Sequence, residues 1–345
     1  MGVEYISVQW NRQKKFYDAV LIGGVAAHLA IFGVLTKILF RHVTDEIMLM
    51  RAFGTAAFLL LHVILCIGPL CRLNPKFLPM LYNRRHAGVT MFTLGLVHAA
   101  LVVIAYHAGG DTNPILSIFK GSPLAGSISG VPFQPFGFFA LIILFLMAAT
   151  SHDFWLANLS APIWKSLHML VYVAYALLVL HVTFGVLQGE GSPLYVVATA
   201  LGLLTVLGLH ITAARRETAA DREMQSVGSD DFVDACAVAD IPENRARIVC
   251  LSGERVAIFK YDGKISAVSN VCQHQNGPLG EGKIVFGCII CPWHGYQYVP
   301  ETGASPPPFV ERVPTFNVRV KNGRVFVHPK PNFTGTRAEP ARIAK

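Results

Sequence analysis

Six stretches of this chain are apolar almost without interruption: approximately 18–40, 52–73, 87–108, 136–155, 163–187 and 194–213. About 20 apolar residues in helical form cross a bilayer core, and a helix satisfies its own backbone polar groups there. Each stretch predicts one spanning helix. Together they predict a membrane all-α six-helix bundle over residues 1–213. Residues 214–231 carry charges of both signs and read as a charged linker, able to prolong the last helix as a short stalk. From Phe232 the pattern shortens. Arg255–Tyr261 precedes Asp262-Gly263 and Ile265–Val271 follows it; Phe316–Lys321 and Arg324–His328 flank Asn322-Gly323. Asp-Gly and Asn-Gly suit tight hairpins, so residues 232–330 predict a small all-β domain. The Pro-rich, basic stretch 331–345 is expected to be a disordered tail.

Composition sharpens this division. Of 345 residues, 53% are hydrophobic and 14% charged, against roughly 25% charged in soluble domains. The net charge of +8 comes largely from Lys and Arg beside the apolar stretches, where they anchor helices to lipid head groups. No basic stripe with interleaved aromatics is present, so nucleic acid is not an expected partner; the lipid bilayer is. The first apolar stretch is too long for the core of a cleavable signal peptide. The six-span reading, with the N-terminus inside, puts eleven Lys and Arg in inner segments and four in outer ones. That asymmetry favours a cytoplasmic N-terminus and, after six crossings, a cytoplasmic β domain. A multi-pass protein of the plasma (inner) membrane is expected.

Two strings in the β domain carry chemistry: Cys272-Gln-His274 and Cys291-Pro-Trp-His294-Gly-Tyr-Gln-Tyr298. Two Cys–His pairs supply four metal donors. A tetrahedral zinc ion takes the same donor types, but the Cys-x-His spacing and the flanking hairpins favour a two-iron centre. In Rieske centres two thiolates hold one iron and two imidazoles the other, which raises the potential above that of plant-type ferredoxins. Residues 233–328 resemble Rieske ferredoxin domains, through RVAIFKYDGKISAVSNVCQH, CPWHG and FNVRVKNGRVFV. The resemblance implies a [2Fe–2S] cluster on Cys272, His274, Cys291 and His294. Quinol-oxidising Rieske proteins carry a further Cys pair that staples the two cluster loops; Gly277 and Trp293 stand there in this chain. The domain is thus similar to the lower-potential ferredoxins of ring-hydroxylating oxygenases. Tyr296 stands where the quinol-oxidising type has a Ser that bonds a bridging sulfide. Cys288 reads as a strand residue rather than a ligand.

Histidines recur in the apolar stretches: His28, His62, His98, His168, His181 and His210. An ionisable side chain in hydrocarbon is a functional hypothesis by default, although a neutral His bonded to a neighbouring helix is the plain reading for His28, His62 and His210. Two imidazoles on facing helices can hold haem iron axially, an arrangement suited to electron transfer. Arg84-Arg85-His86-Ala87-Gly88-x3-Phe92-x5-His98 and Trp164-x3-His168-x3-Tyr172-x8-His181 resemble the third and fifth helices of the ferric-reductase-like membrane domain. That resemblance covers about 50–190 and implies b-type haem on His98, His168 and His181. His168 and His181 lie about 20 Å apart along one helix and cannot share an iron. Members with two haems have a second His fourteen residues beyond the first; here that position is Thr112, and His62 and His107 are the substitutes available. Arg84 and Arg85 serve either haem propionates or inner-face anchoring.

Flavin-dependent relatives continue into domains for FAD and nicotinamide. No Gly-rich dinucleotide fingerprint follows a strand here, and the Rieske-like domain takes that place. The expected function is an electron-transfer oxidoreductase passing single electrons between a cytoplasmic donor protein or reductase, the cluster and b-type haem, with a quinone or an outer-side acceptor beyond. The alternatives are a quinol-linked oxidoreductase and a non-catalytic, membrane-anchored redox sensor.

Overall fold

The computed structural model describes residues 12–120, 130–151, 155, 159, 161–190, 193–223, 232–274, 277–293 and 295–343. The chain divides into two compact units, one comprising Asn11–Leu70 and Asn83–His210, the other including Cys71–Tyr82 and Ile211–Lys345.

The helices are α1 (Arg12–Leu39), α2 (Asp45–Leu73), α3 (Arg84–Tyr106), α4 (Pro114–Lys120), α5 (Gln134–Ala149), α6 (Ala161–Met169), α7 (Val171–Phe184), α8 (Val186–Glu190) and α9 (Pro193–Glu223). Local signals set their starts. Asp45 and Glu46 place negative charge at the positive end of α2. Asn113 caps α4, its side-chain oxygen accepting the Ile115 N–H at 2.9 Å, with Pro114 in the first turn. In the first unit, the fully buried Ala140 of α5 and Ala174 of α7 meet in a core with Leu61, Met91, Leu144 and Tyr175. Small residues there let backbones approach, as lipid-embedded helices require.

Among the described residues, five helices are long and apolar enough to cross a membrane: Arg12–Leu39, Asp45–Leu73, Arg84–Tyr106, Ile163–Gly189 and Pro193–Ala219. The expected count of six such helices is not confirmed among the described residues. The stretch 136–155 yields α5, 16 residues long, which spans about 24 Å against a hydrocarbon core of about 30 Å. Its end is marked by Thr150 and Ser151, whose hydroxyls turn back onto the Leu146 and Met147 carbonyls at 2.7 Å. The expected single helix over 163–187 is also interrupted. At Leu170 the chain tightens to an i→i−3 bond onto the Leu167 carbonyl, and at Gly185 ψ reaches −107°. The charged segment after 213 continues α9 as far as Glu223; residues 224–231 lie outside the described ones.

The β unit has strands β1 (Val233–Ala237), β2 (Arg245–Leu251), β3 (Glu254–Tyr261), β4 (Lys264–Ser269), β5 (Lys283–Val285), β6 (Cys288–Ile290), β7 (Gln297–Tyr298), β8 (Thr315–Phe316), β9 (Val318–Lys321), β10 (Arg324–Val327) and β11 (Ala341–Arg342). They form three antiparallel sheets: β1-β10-β9; β11-β4-β3-β2 with β8 beside β4; and β5-β6-β7. Asp262-Gly263 and Asn322-Gly323 do turn hairpins. Their φ angles are 46° and 68°, and 50° and 72°, the two positive values a tight turn of matching twist needs. Ile258, Ile265 and Phe316 are fully buried in one core, and Phe259, Leu279 and Tyr298 in a second around the cluster loops. Each such side chain contributes roughly 1.5–3 kcal/mol through burial.

The disordered tail needs correction. Residues 331–343 fold back onto the domain. Asn332 N–H bonds the Thr315 carbonyl at 2.8 Å and Ala338 N–H the Glu301 carbonyl at 2.8 Å. Ala341 and Arg342 then pair with Ile265 and Lys264 as an edge strand. The prolines that suggested disorder only interrupt the ladder; the intervening residues still bury Ala338 and complete the sheet.

Candidate redox centres

In the β unit two loops are built alike. Cys272 N–H bonds the Gly277 carbonyl at 2.9 Å, and Cys291 N–H bonds the Tyr296 carbonyl at 2.8 Å. Each loop is therefore closed by a bond from its cysteine to the residue five positions on. Asn270 pins the first loop: its carbonyl accepts Leu279 N–H at 2.9 Å and its side chain accepts Gly280 N–H at 2.7 Å. The hairpin from β5 to β6 turns at Phe286-Gly287 and delivers Cys291.

The loops face each other. A Cβ on Gly277 would stand 2.7 Å from Cys291 Sγ and 3.2 Å from the Trp293 ring. The two positions that would carry a staple are thus in contact, with an indole lying against a glycine. Cys272 and Cys291 are buried, and neither is in a disulfide. Tyr298 lies between the loops: its hydroxyl is 3.3 Å from Cys272 Sγ and accepts Gln273 N–H at 3.0 Å. Burial, reinforced by the adjacent Cys272 and Cys291, pushes the Tyr298 phenol far above its ordinary value. In sequence Tyr298 had no role beyond its place in the second string; in the structure its ring centroid lies 5.4 Å from that of Tyr296. The Tyr296 ring stacks on His274, centroids 4.6 Å apart and planes 10° apart. Burial first, and then the bond its hydroxyl donates to Glu311, hold this phenol neutral as well.

The fourth expected ligand, His294, lies outside the described residues. Two buried, unpaired-by-disulfide thiols sharing one tyrosine, with an imidazole on the same loop, fit a cluster whose donors act two by two. Cys288 faces the interior as a strand residue, its thiol pushed up to about 11 by burial.

In the helical unit the structure brings two of the three expected histidines together. His98 of α3 and His181 of α7 have ring centroids 6.3 Å apart. Two imidazoles on one iron, at about 2 Å per Fe–N bond, put ring centres roughly 6 Å apart. Each Nδ1 is tied to a backbone carbonyl: His98 to Met50 at 2.8 Å and His181 to Phe133 at 3.0 Å. A carbonyl only accepts, so Nδ1 carries the hydrogen and Nε2 keeps its lone pair for a metal. Gly54 and Gly137 make room for the rings; a Cβ would stand 2.9 Å from His98 Nδ1 and 2.8 Å from His181 Nδ1. Neither glycine was singled out in sequence, because the need for them arises between helices.

His168 stands apart from that pair. It stacks on Trp164 at 3.7 Å and donates from Nδ1 to the Trp164 carbonyl at 3.0 Å, while its buried Nε2 finds no hydrogen-bond partner. His62 bonds the Phe58 carbonyl and the Tyr175 hydroxyl through its two nitrogens, which leaves it no lone pair to offer a second iron. His28 and His210 likewise bond Thr55 and Tyr172. Arg85 donates to the Ser151 carbonyl beyond α5 at 2.8 Å.

Comparison with known proteins places both halves. A family model for the Rieske [2Fe-2S] domain matches residues 231–317, and one for the ferric reductase like transmembrane component matches residues 53–179. The ferredoxin component of the alkene monooxygenase system of Xanthobacter autotrophicus is 29% identical over 102 residues, which are 29% of this chain and 84% of that protein. The ferredoxin subunit of the 3-phenylpropionate/cinnamic acid dioxygenase of Photorhabdus laumondii is 32% identical over 94 residues, 27% of this chain and 89% of that one. Human apoptosis-inducing factor 3 is 31% identical over 100 residues, 28% of this chain and 16% of its own length. The chain belongs to the Rieske [2Fe–2S] proteins, with that domain fused to a ferric-reductase-like transmembrane domain.

Proposed function

We propose that this membrane electron-transfer protein relays single electrons between a cytoplasmic donor protein or reductase and an acceptor in or beyond the bilayer. Cys272, His274, Cys291 and His294 would hold the Rieske cluster. His98 and His181 would hold one b-type haem. Each group, when bound, supplies a one-electron carrier. The residues do the rest. The facing loops bury the sulfurs, Tyr298 donates to Cys272, and the Met50 and Phe133 carbonyls fix both membrane imidazoles with Nε2 free.

The observation that carries the reading is the His98–His181 pair at 6.3 Å. It favours His181 over His168 as partner of His98. The test is haem content of the purified protein by absorption spectroscopy. His98→Ala and His181→Ala should each lose the b-type bands, and His168→Ala should keep them. Loss in His168→Ala with retention in His181→Ala overturns the pairing.

The cytoplasmic placement of the N-terminus and Rieske domain rests on the excess of Lys and Arg in the inner connections. Trypsin added to sealed inside-out vesicles should cleave the Rieske domain; cleavage in right-side-out vesicles only would reverse the orientation.

A further inference from the structure

We propose that Tyr296 and Glu311 form a positioning pair that fixes the plane of the His274 imidazole; this rests on His274 being a cluster ligand. Tyr296, just before β7, and Tyr298, within it, have ring centroids 5.4 Å apart and divide the first loop between them. Tyr298 takes Cys272 and the Gln273 N–H. Tyr296 takes His274, ring on ring, with only 10° between the planes. Rotation of the imidazole about its Cβ–Cγ bond would drive an edge into the phenol, so the stack holds that rotation. An imidazole that gives its lone pair to a metal becomes electron-poor, and the negative face of a phenol attracts it more strongly.

Tyr296 is itself held from two other sides. Its hydroxyl donates to Glu311 Oε2, and the same oxygen accepts Val310 N–H at 3.1 Å. The Phe309 ring meets it edge-on at 5.0 Å and 67°. The order of restraint runs from backbone to carboxylate, from carboxylate to phenol and from phenol to imidazole. With its hydroxyl committed to Glu311, Tyr296 does not serve as a hydrogen-bond donor to the cluster; it acts through its ring on His274. A side chain that locks a ligand's rotamer tunes the metal without touching it.

The test uses full-length protein, with reduced-state EPR line width and the rate of cluster loss to a chelator as readouts. Tyr296→Leu should broaden the spectrum and speed cluster loss by about tenfold, the low end of effects seen when ligand-supporting residues are removed. Tyr296→Phe keeps the ring but frees it, and Glu311→Ala frees the phenol, so both should broaden the spectrum less. Glu311→Gln retains an acceptor for the phenol and should restore wild-type width. Wild-type width and cluster retention in Tyr296→Phe and Tyr296→Leu, or equal damage from Glu311→Gln and Glu311→Ala, would overturn the pairing. His274→Ala separates the premise: a wild-type cluster spectrum in that variant would sink the ligand assignment, whereas its loss beside an unaffected Tyr296→Leu would sink the positioning role alone.

Discussion

The Tyr298 hydroxyl, 3.3 Å from Cys272 Sγ, is the residue-scale feature with the clearest electronic consequence. A hydrogen bond to sulfur strengthens as the cluster gains negative charge, so it favours the reduced form. If it gains about 1 kcal/mol on reduction, Tyr298→Phe should lower the midpoint potential by roughly 40 mV, read by EPR-monitored titration. An unchanged potential would remove Tyr298 from the account. Cys288 gives a second residue-scale prediction. Burial raises its thiol from 9.0 to about 11, so its contribution to stability is complete below pH 9 and is lost as pH rises towards 11. Native protein should therefore resist alkylation at Cys288 at pH 8, and Cys288→Ala should lessen the loss of domain stability between pH 9 and 11. Peptide mapping that finds Cys288 modified in folded protein at pH 8 would contradict this. The Rieske domain was legible in sequence because the spacing of its Cys–His strings is itself the motif. The contacts of the tyrosines were not, since Tyr298 meets Cys272 and Tyr296 stacks on His274 only once the two loops are folded against each other.

Among the elements, the membrane helices make room for the His98 and His181 rings by what they leave out. Gly54 on α2 and Gly137 on α5 vacate the space that the His98 and His181 rings fill. Gly137→Ala should displace the His181 ring and shift or abolish the b-type absorption bands; identical bands and haem content would show that the ring tolerates the methyl group. The periodicity that predicted one helix over 163–187 could not reveal the interruption at Leu170. Hydropathy marks where a helix is apolar, and an interruption without Pro or charge leaves no trace in it. The tail shows the converse. Its prolines suggested disorder, yet β11 completes the edge of the β4 sheet. Deleting 331–345 should cost about 1–2 kcal/mol and lower the melting temperature of the Rieske domain by roughly 4–16 °C. An unchanged melting curve would mean that the strand adds nothing.

At the scale of the whole molecule, one chain joins a Rieske domain to a ferric-reductase-like membrane domain, and the function proposed above would give it two kinds of one-electron site. The fusion was legible because each half carries its own pattern: long apolar runs with histidines in one, hairpin signals and Cys–His loops in the other. The proposal of His181 as partner for His98 needed three dimensions, since the sequence left His168 and His181 both open. The central claim is that the two sites exchange electrons. Its most direct measurement is anaerobic stopped-flow reduction of purified full-length protein by a small ferredoxin, with cluster and haem followed separately. The account predicts that the cluster reduces first, that the haem follows, and that haem reduction fails in Cys291→Ser although its haem is still present. Haem reduced at the wild-type rate in Cys291→Ser, or wild-type protein that binds iron–sulfur but no haem, would contradict it.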